Sequence, residues 1–369
     1  MVKIYKGEEK MHKIDLSKYE VRTDMIVDLL DEETSKLSNE TLEDGVKISW
    51  MKLDEDNPFN KKPGNYLTIL FDDVTDSDAR NLVSNIFERE FKKMLKKIGY
   101  NKDYKTLVIG LGNEKSTPDA LGPLVVCKLI VTNHFFDMNI NVDDKLSKLA
   151  AIAPGVTGQT GIETSDYVKG VVGVLKPDLV ILVDALCSSS IENVNKSIQV
   201  TDNGISPGSG IGNKRKEISK ETLNTKVISV GIPTVIDAST IVSDTINYMV
   251  KNYAYNKNHI NDKSNKFIKG PVNYLNKETK ITSADRKNFL GLVGALSDNE
   301  IKKLLYEVNT IRLYPIGVKT SYNEIKKLLY EVLTPIGYNL MVTPKEVDFI
   351  LSKLSDVISY GINHSIHNI

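Results

Sequence analysis

The chain has 369 residues, 41% hydrophobic and 26% charged, and its 48 basic and 48 acidic side chains cancel. That balance argues against a nucleic-acid coat, a polybasic membrane anchor or an acidic tail, and two cysteines, Cys127 and Cys187, cannot build a disulfide framework. No apolar run approaches the ~18 residues of a membrane span, and the opening Met1-Val-Lys-Ile-Tyr-Lys lacks a secretory core. We therefore expect a soluble, cytoplasmic protein with no membrane partner and no direct nucleic-acid partner.

Residues 1–45 are strongly charged and break hydrophobic periodicity, which predicts a loosely attached arm. Strands are predicted at Val46–Leu53 and Asn65–Phe71, with Lys62-Pro63-Gly64 turning between them. Apolar residues at helical spacing (Leu82, Ile86, Phe91, Leu95) predict an amphipathic helix over Ser77–Ile98, with Lys92, Lys93, Lys96 and Lys97 on its solvated face. Strand and helix then alternate: strand Thr106–Leu111, helix Ala120–Phe136, strand Lys148–Ala153, helix Asp166–Leu175, strand Asp178–Val183. Strands Ser197–Val200 and Lys226–Val230 and a helix over Ala238–Tyr253 continue the series. The run Asp178–Val183 is apolar on both faces, as a central parallel strand covered on each side must be. This alternation predicts an α/β fold of three layers, a mainly parallel sheet with helices on both faces.

Residues 254–288, rich in Asn, Lys, Ser and Gly, read as a polar insertion or linker. Residues 289–369 read as a helical carboxy-terminal segment packing on the core, closed by a helix from Pro344 to about His364. The peptide Glu-Ile-Lys-Lys-Leu-Leu-Tyr-Glu-Val stands at 300–308 and again at 324–332. Two copies are too few for a solenoid, so this is a local duplication.

Most familiar motifs fail on inspection. Gly110-Leu-Gly112 follows a strand, but Lys115 takes the third glycine position of a dinucleotide fingerprint and Pro118 interrupts the expected helix. Gly208–Lys216 could cradle an anion on backbone N–H groups and three cations, or be a plain loop with a basic stem. Gly204-Ile-Ser206-Pro207-Gly208 spells a nucleophile elbow, yet Pro207 has no N–H for an oxyanion hole. Cys187 follows a strand without an activating histidine in any motif, and Cys127 is expected in a helix core. His12, His134, His259, His364 and His367 are scattered, so no zinc site is expected.

What remains is carboxylates at strand ends, where open parallel sheets collect their active sites. Asp119 lies in the loop Thr117-Pro-Asp-Ala-Leu-Gly-Pro123, and Asp184 is the first residue beyond the apolar run ending at Val183. If both strands belong to one parallel sheet, both aspartates emerge on the same edge. Two carboxylates held close do not both ionise readily, and such a pair suits acid–base activation of water on a peptide carbonyl. A metal-dependent hydrolase holding its ion with Asp119, Asp184 and Glu163 would use the same groups, and a non-enzymatic protein binding an anion or nucleotide on the glycine loops is the other alternative. A third loop, Gly155–Asp166, is placed to line a cleft, with Glu163 as a polar contact.

As a set, these motifs resemble the germination protease family of spore-forming bacteria. The blocks that carry the resemblance are Asp15–Asp24, Gly45–Ser49, Gly110–Asn113 with Thr117–Pro123, and Ala153–Val156. Others are Thr160–Asp166, Val183–Leu186, Asp202–Gly210, Gly212–Ser219, Gly231–Val235 and Gly337–Asp348. The resemblance implies an aspartic-type endopeptidase acting on small acid-soluble spore proteins in the forespore and spore core, a fold similar to hydrogenase-maturation peptidases, and a homotetramer. It implies no cofactor and no metal, and it places the catalytic pair at Asp119 and Asp184, with Asn113 and Glu163 lining the cleft. It also implies a zymogen that trims its own arm. Val21-Arg-Thr-Asp24-Met25-Ile-Val-Asp28 resembles the family's substrate motif, which gives a propeptide of residues 1–24, cut between Asp24 and Met25, and a peptidase core of residues 25–253. The chain departs from the family in the ten residues before Met11, an expected alternative start, and in the extra 24-residue period between 309 and 332.

Overall fold

The apolar run at 178–183 opens a longer strand, Leu179–Ser188, around which the sheet is organised. This computed structural model describes residues 23–30, 34–138, 142–208, 215–258, 281–282, 284–285, 288 and 341–369. The arm before Thr23, most of 254–288 and both copies of the duplicated peptide lie outside the described residues. The chain divides into two units, Arg22–Asp237 with Met341–Ile369, and Met1–Val21 with Ala238–Leu340.

In the first unit the strands are β1 (Ser38–Glu43), β2 (Val46–Leu53), β3 (Gly64–Leu70), β4 (Thr106–Gly110), β5 (Leu149–Ile152), β6 (Leu179–Ser188), β7 (Ser197–Thr201), β8 (Lys226–Asp237) and β9 (Met341–Val342). They hydrogen-bond in the order β1-β2-β3-β7-β8-β6-β4-β5, with β9 on the end of β8. The block β5-β4-β6-β8 is parallel, and β7, β2 and β9 run against their neighbours. The fold is α/β with a mixed, mostly parallel sheet.

Alternation within the central strands feeds two cores. Val108, Leu179, Ile181, Val183, Ile228 and Val230 face one side, under helix α1 (Ser77–Lys97) and the carboxy-terminal helix Val347–Ile366. Leu107, Ile109, Val180, Leu182 and Val227 face the other, under Val168 and Val172 of helix α5 (Thr164–Leu175) and Leu223 of the short helix α6 (Lys220–Leu223). Helices on both faces make the three layers. Helix α1 starts where Asp76 accepts hydrogen bonds from the N–H groups of Asp78 and Ala79, at 2.9 and 3.0 Å. It buries Phe87 and Phe91, stacked at 5.4 Å. On the second face of β2 and β3 the segment 26–30 packs down, with Ile26 against Met51, Leu53 and Tyr66.

Three expectations need correction. Part of the predicted arm is the edge strand β1, paired with β2 through an Asp44-Gly45 turn in which both residues have positive φ. Its exposed, polar side chains carry no alternation to read. The predicted helix Ala120–Phe136 is two short helices, α2 (Leu121–Val126) and α3 (Asn133–Asp137). Between them the Asn363 side chain accepts from Ile130 N–H at 2.9 Å and donates to Lys128 C=O at 3.2 Å, doing what a continuing helix would have done. Cys127, at the end of α2, is exposed rather than core. In the second unit, helix α7 spans Ala238–Asn258, somewhat longer than predicted, and Lys257 pairs with Asp285 at 2.9 Å.

Candidate active site

Parallel pairing of β4 with β6 sends both chain ends to one edge of the sheet. β4 stops at Gly110, and the loop after it carries Asp119. β6 runs on, so Asp184 lies within that strand opposite Gly231 of β8, rather than just beyond a strand end. Both aspartates line one cleft of about 540 Å³, together with Asp24, Glu163, Arg215, Thr234 and residues 155–158.

Close backbone approach fixes the Asp119 loop. A Cβ on Gly110 would stand 2.2 Å from the Gly122 carbonyl oxygen, and one on Gly122 equally close to that of Leu111. The start of α2 can therefore press onto the end of β4 only because both lack side chains. Gly112, at φ +109°, leaves room for the Asp119 carbonyl. The glycines that spell half a dinucleotide motif thus serve a tight turn. Asn113 stands behind the cleft wall: its N–H donates to Asp119 Oδ2 at 2.9 Å, and its side chain accepts from Gln159 Nε2 at 2.5 Å. A bulge in β8 skips Thr234 between the pairs Leu186–Pro233 and Cys187–Val235. The Thr234 hydroxyl then donates to Pro118 C=O at 2.6 Å, tying the loop to the sheet.

Burial sets the charge states. It pushes the Asp119 carboxyl up to about 6, against the Asn113 N–H, which favours the anion. Asp184, 5% exposed, is held well above the usual carboxylate range, first by burial and then by the neighbouring charges of Asp119 and Asp24, against the 2.9 Å hydrogen bond from Ala185 N–H. Burial is the more complete at Asp184, so of the two it is the carboxyl held more strongly toward its protonated form. Glu163 lines the cleft in an ion pair with Arg215 at 3.1 Å, and Lys216 pairs with Asp166 at 2.9 Å. Two of the three cations of the Gly208–Lys216 loop are thus matched by carboxylates. Cys187 is buried and its N–H donates to Asp24 Oδ2 at 2.9 Å. Among the described residues no group of three or more His, Cys, Asp or Glu is disposed to hold a metal ion.

The segment Thr23–Leu30 is seated across the same sheet face. Asp24 N–H donates to Cys187 C=O at 3.0 Å, and Lys61 Nζ to Thr23 C=O at 2.9 Å. Gln199 Nε2 donates to Asp24 C=O at 3.0 Å while its Oε1 accepts Ile26 N–H at 2.7 Å. Met25 is fully buried. The Asp28 carboxylate accepts from Thr23 Oγ1, Ser188 Oγ, Ser189 N–H and Asn193 Nδ2 at 2.6–2.8 Å. Sequence reasoning missed this seat. Its signals were a long polar residue, Gln199, inside an apolar strand and the Ser188-Ser189-Ser190 run at the end of β6.

Comparison with known proteins decides the family. The germination protease family model matches residues 27–321 and 316–369. Germination proteases of Bacillus cereus, Bacillus thuringiensis subsp. konkukian and Bacillus anthracis are 40–41% identical over 376–377 aligned positions, covering 96% of this chain and 96% of each relative. The chain belongs to the germination protease family. Membership makes it a protease of spore germination. Among solved structures, a nickel–iron hydrogenase maturation protease of Thermococcus kodakarensis is similar over 35% of this chain and 74% of its own, at 18% identity and a TM-score of 0.22, too slight a likeness to carry an argument.

Proposed function

We propose that this germination protease is an aspartic-type endopeptidase that opens the degradation of small acid-soluble spore proteins, and that it matures by cutting its own arm between Asp24 and Met25. One observation carries the reading: Asp24 lies in the cleft that holds Asp119 and Asp184, on a segment gripped through its main chain. In this reading ionised Asp119 takes a proton from water as the water attacks the peptide carbonyl, and protonated Asp184 delivers one to the leaving nitrogen. Thr23, Asp24, the apolar Met25 and Asp28 match the family's substrate motif, which is what a self-processing zymogen requires. The same reading expects a homotetramer, to be checked by sedimentation.

Its test is incubation of the purified chain with a small acid-soluble spore protein, with and without chelator. We expect cleavage that survives the chelator, and that Asp119→Asn or Asp184→Asn lowers it at least ~10²-fold while leaving a folded protein. Loss with chelator would return the metal-dependent alternative, and a folded, fully active aspartate variant would remove that residue from the mechanism. For maturation, mass mapping of the processed chain should show a product that begins at Met25. Asp184→Asn alone should keep its arm; normal trimming of that variant would assign the cut to another protease.

A further inference from the structure

The acid–base reading gives Gln199 no part, yet Gln199 touches both sides of the Asp24–Met25 bond. It sits in β7, 6% exposed, between Ile198 and Val200, which point into the core on the opposite face. Its orientation follows from its partners, because the Ile26 N–H can only donate and the Asp24 carbonyl can only accept. Strand register puts Asp184, Gly231 and Gln199 in one row across β6, β8 and β7. Asp184 and Gln199 therefore rise from the same face, about 10 Å apart, with the Leu186 side chain lying over Gly231 between them. Asp24 borders both: it lines the cleft with Asp184, and its carbonyl accepts from Gln199.

We propose that Gln199 is a further catalytic residue, whose Nε2–H stabilises the negative charge that develops on the Asp24 carbonyl oxygen during hydrolysis. This rests on the reading that the cut falls after Asp24. Water oxygen bonds to the Asp24 carbonyl carbon as a water proton passes to ionised Asp119. The carbonyl pair moves onto the oxygen facing Nε2, and returns as the C–N bond breaks and the Met25 nitrogen takes the Asp184 proton. The products are a carboxylic acid at Asp24 and an amine at Met25, with water the sole co-reactant and the shared proton exchanged between the two aspartates. A preorganised donor of this kind contributes roughly 10² to 10³-fold to turnover.

Gln199→Glu separates the two halves of the side chain, since it keeps an acceptor for Ile26 N–H and loses the donor to the carbonyl. In the purified full chain, arm removal followed by mass spectrometry should slow about 100-fold in this variant, while hydrogen exchange shows the Ile26 amide still protected. Gln199→Met, uncharged and of similar volume, should slow arm removal at least as much and also expose that amide. Maturation of either variant within threefold of wild type would overturn the proposal, and so would slow maturation of Gln199→Glu with Ile26 unprotected, which would mark a seating role alone. A wild-type product that begins elsewhere than Met25 would instead refute the cleavage site on which the proposal rests.

Discussion

Asp184 has almost no water to ionise into, and Asp119 has more; in the proposed mechanism that difference divides their roles. There Asp119 works ionised and Asp184 protonated; burial raises Asp119 to about 6 and holds Asp184 well above the usual carboxylate range, so kcat/KM should rise with pH up to about 6 and then level until the second proton leaves. The two apparent values belong to the pair, not to either residue. A rate that falls between pH 5 and 7 would reverse the assignment. The same shifts carry a stability sign. Both carboxyls have folded pKa values above their unfolded ones, so their contribution to stability is complete below the ordinary carboxylate range and is lost as pH rises through the folded values. At pH 7.5 Asp184→Asn should therefore melt above wild type while lacking activity, as expected where function is bought with stability. Thermal melts of the two chains check this.

Among the elements, the pressed contact between β4 and α2 is the one that positions chemistry. Gly122→Ala places a methyl against the Leu111 backbone, which has no rotamer by which to yield. We expect a destabilisation of about 1–3 kcal/mol together with lost cleavage, because Asp119 moves with the helix start. Asp76→Ala is the contrast: it removes the cap of α1, costs about 1 kcal/mol, and should leave the cleavage rate alone. Urea unfolding and peptide cleavage assays on both variants separate the effects. The elements also mark what a single sequence reveals. β6 was legible as an unbroken apolar run and α1 through its helical period, and the meeting of Asp119 and Asp184 in one cleft because parallel strands send their following loops to one edge. β1 was not, since an exposed strand held by its backbone leaves no trace beyond an Asp-Gly turn. Nor was Gln199, whose meaning depends on a segment more than a hundred residues away that the chain brings over it.

For the molecule as a whole, the carboxy terminus acts as a clasp. His367 accepts Ser147 N–H at 3.1 Å on Nδ1 and donates to Ile130 C=O at 2.9 Å through Nε2, which fixes the neutral ring. Burial lowers its pKa. A depressed value means that its contribution to stability is present above pH 6.5, the unfolded value, and is lost as pH falls through the folded one. Wild type should lose more stability between pH 7.5 and 5.5 than His367→Gln, itself weaker at pH 7.5. Equal pH slopes in urea unfolding would clear His367 of this role.

The two borders of the sheet have a consequence of another kind. At one end β1 offers an incoming strand only a short, exposed edge bearing Glu40 and Glu43. At the other, β5 is four residues long, and the outward N–H and C=O of Leu149 are already taken by Thr132. Among the described residues both rims are poor templates for a foreign strand, which guards the nine-stranded sheet against fusing edge to edge with its copies. Association of this chain with itself is then expected to use helix and loop surfaces, which would leave the sheet of each copy ending where it now ends.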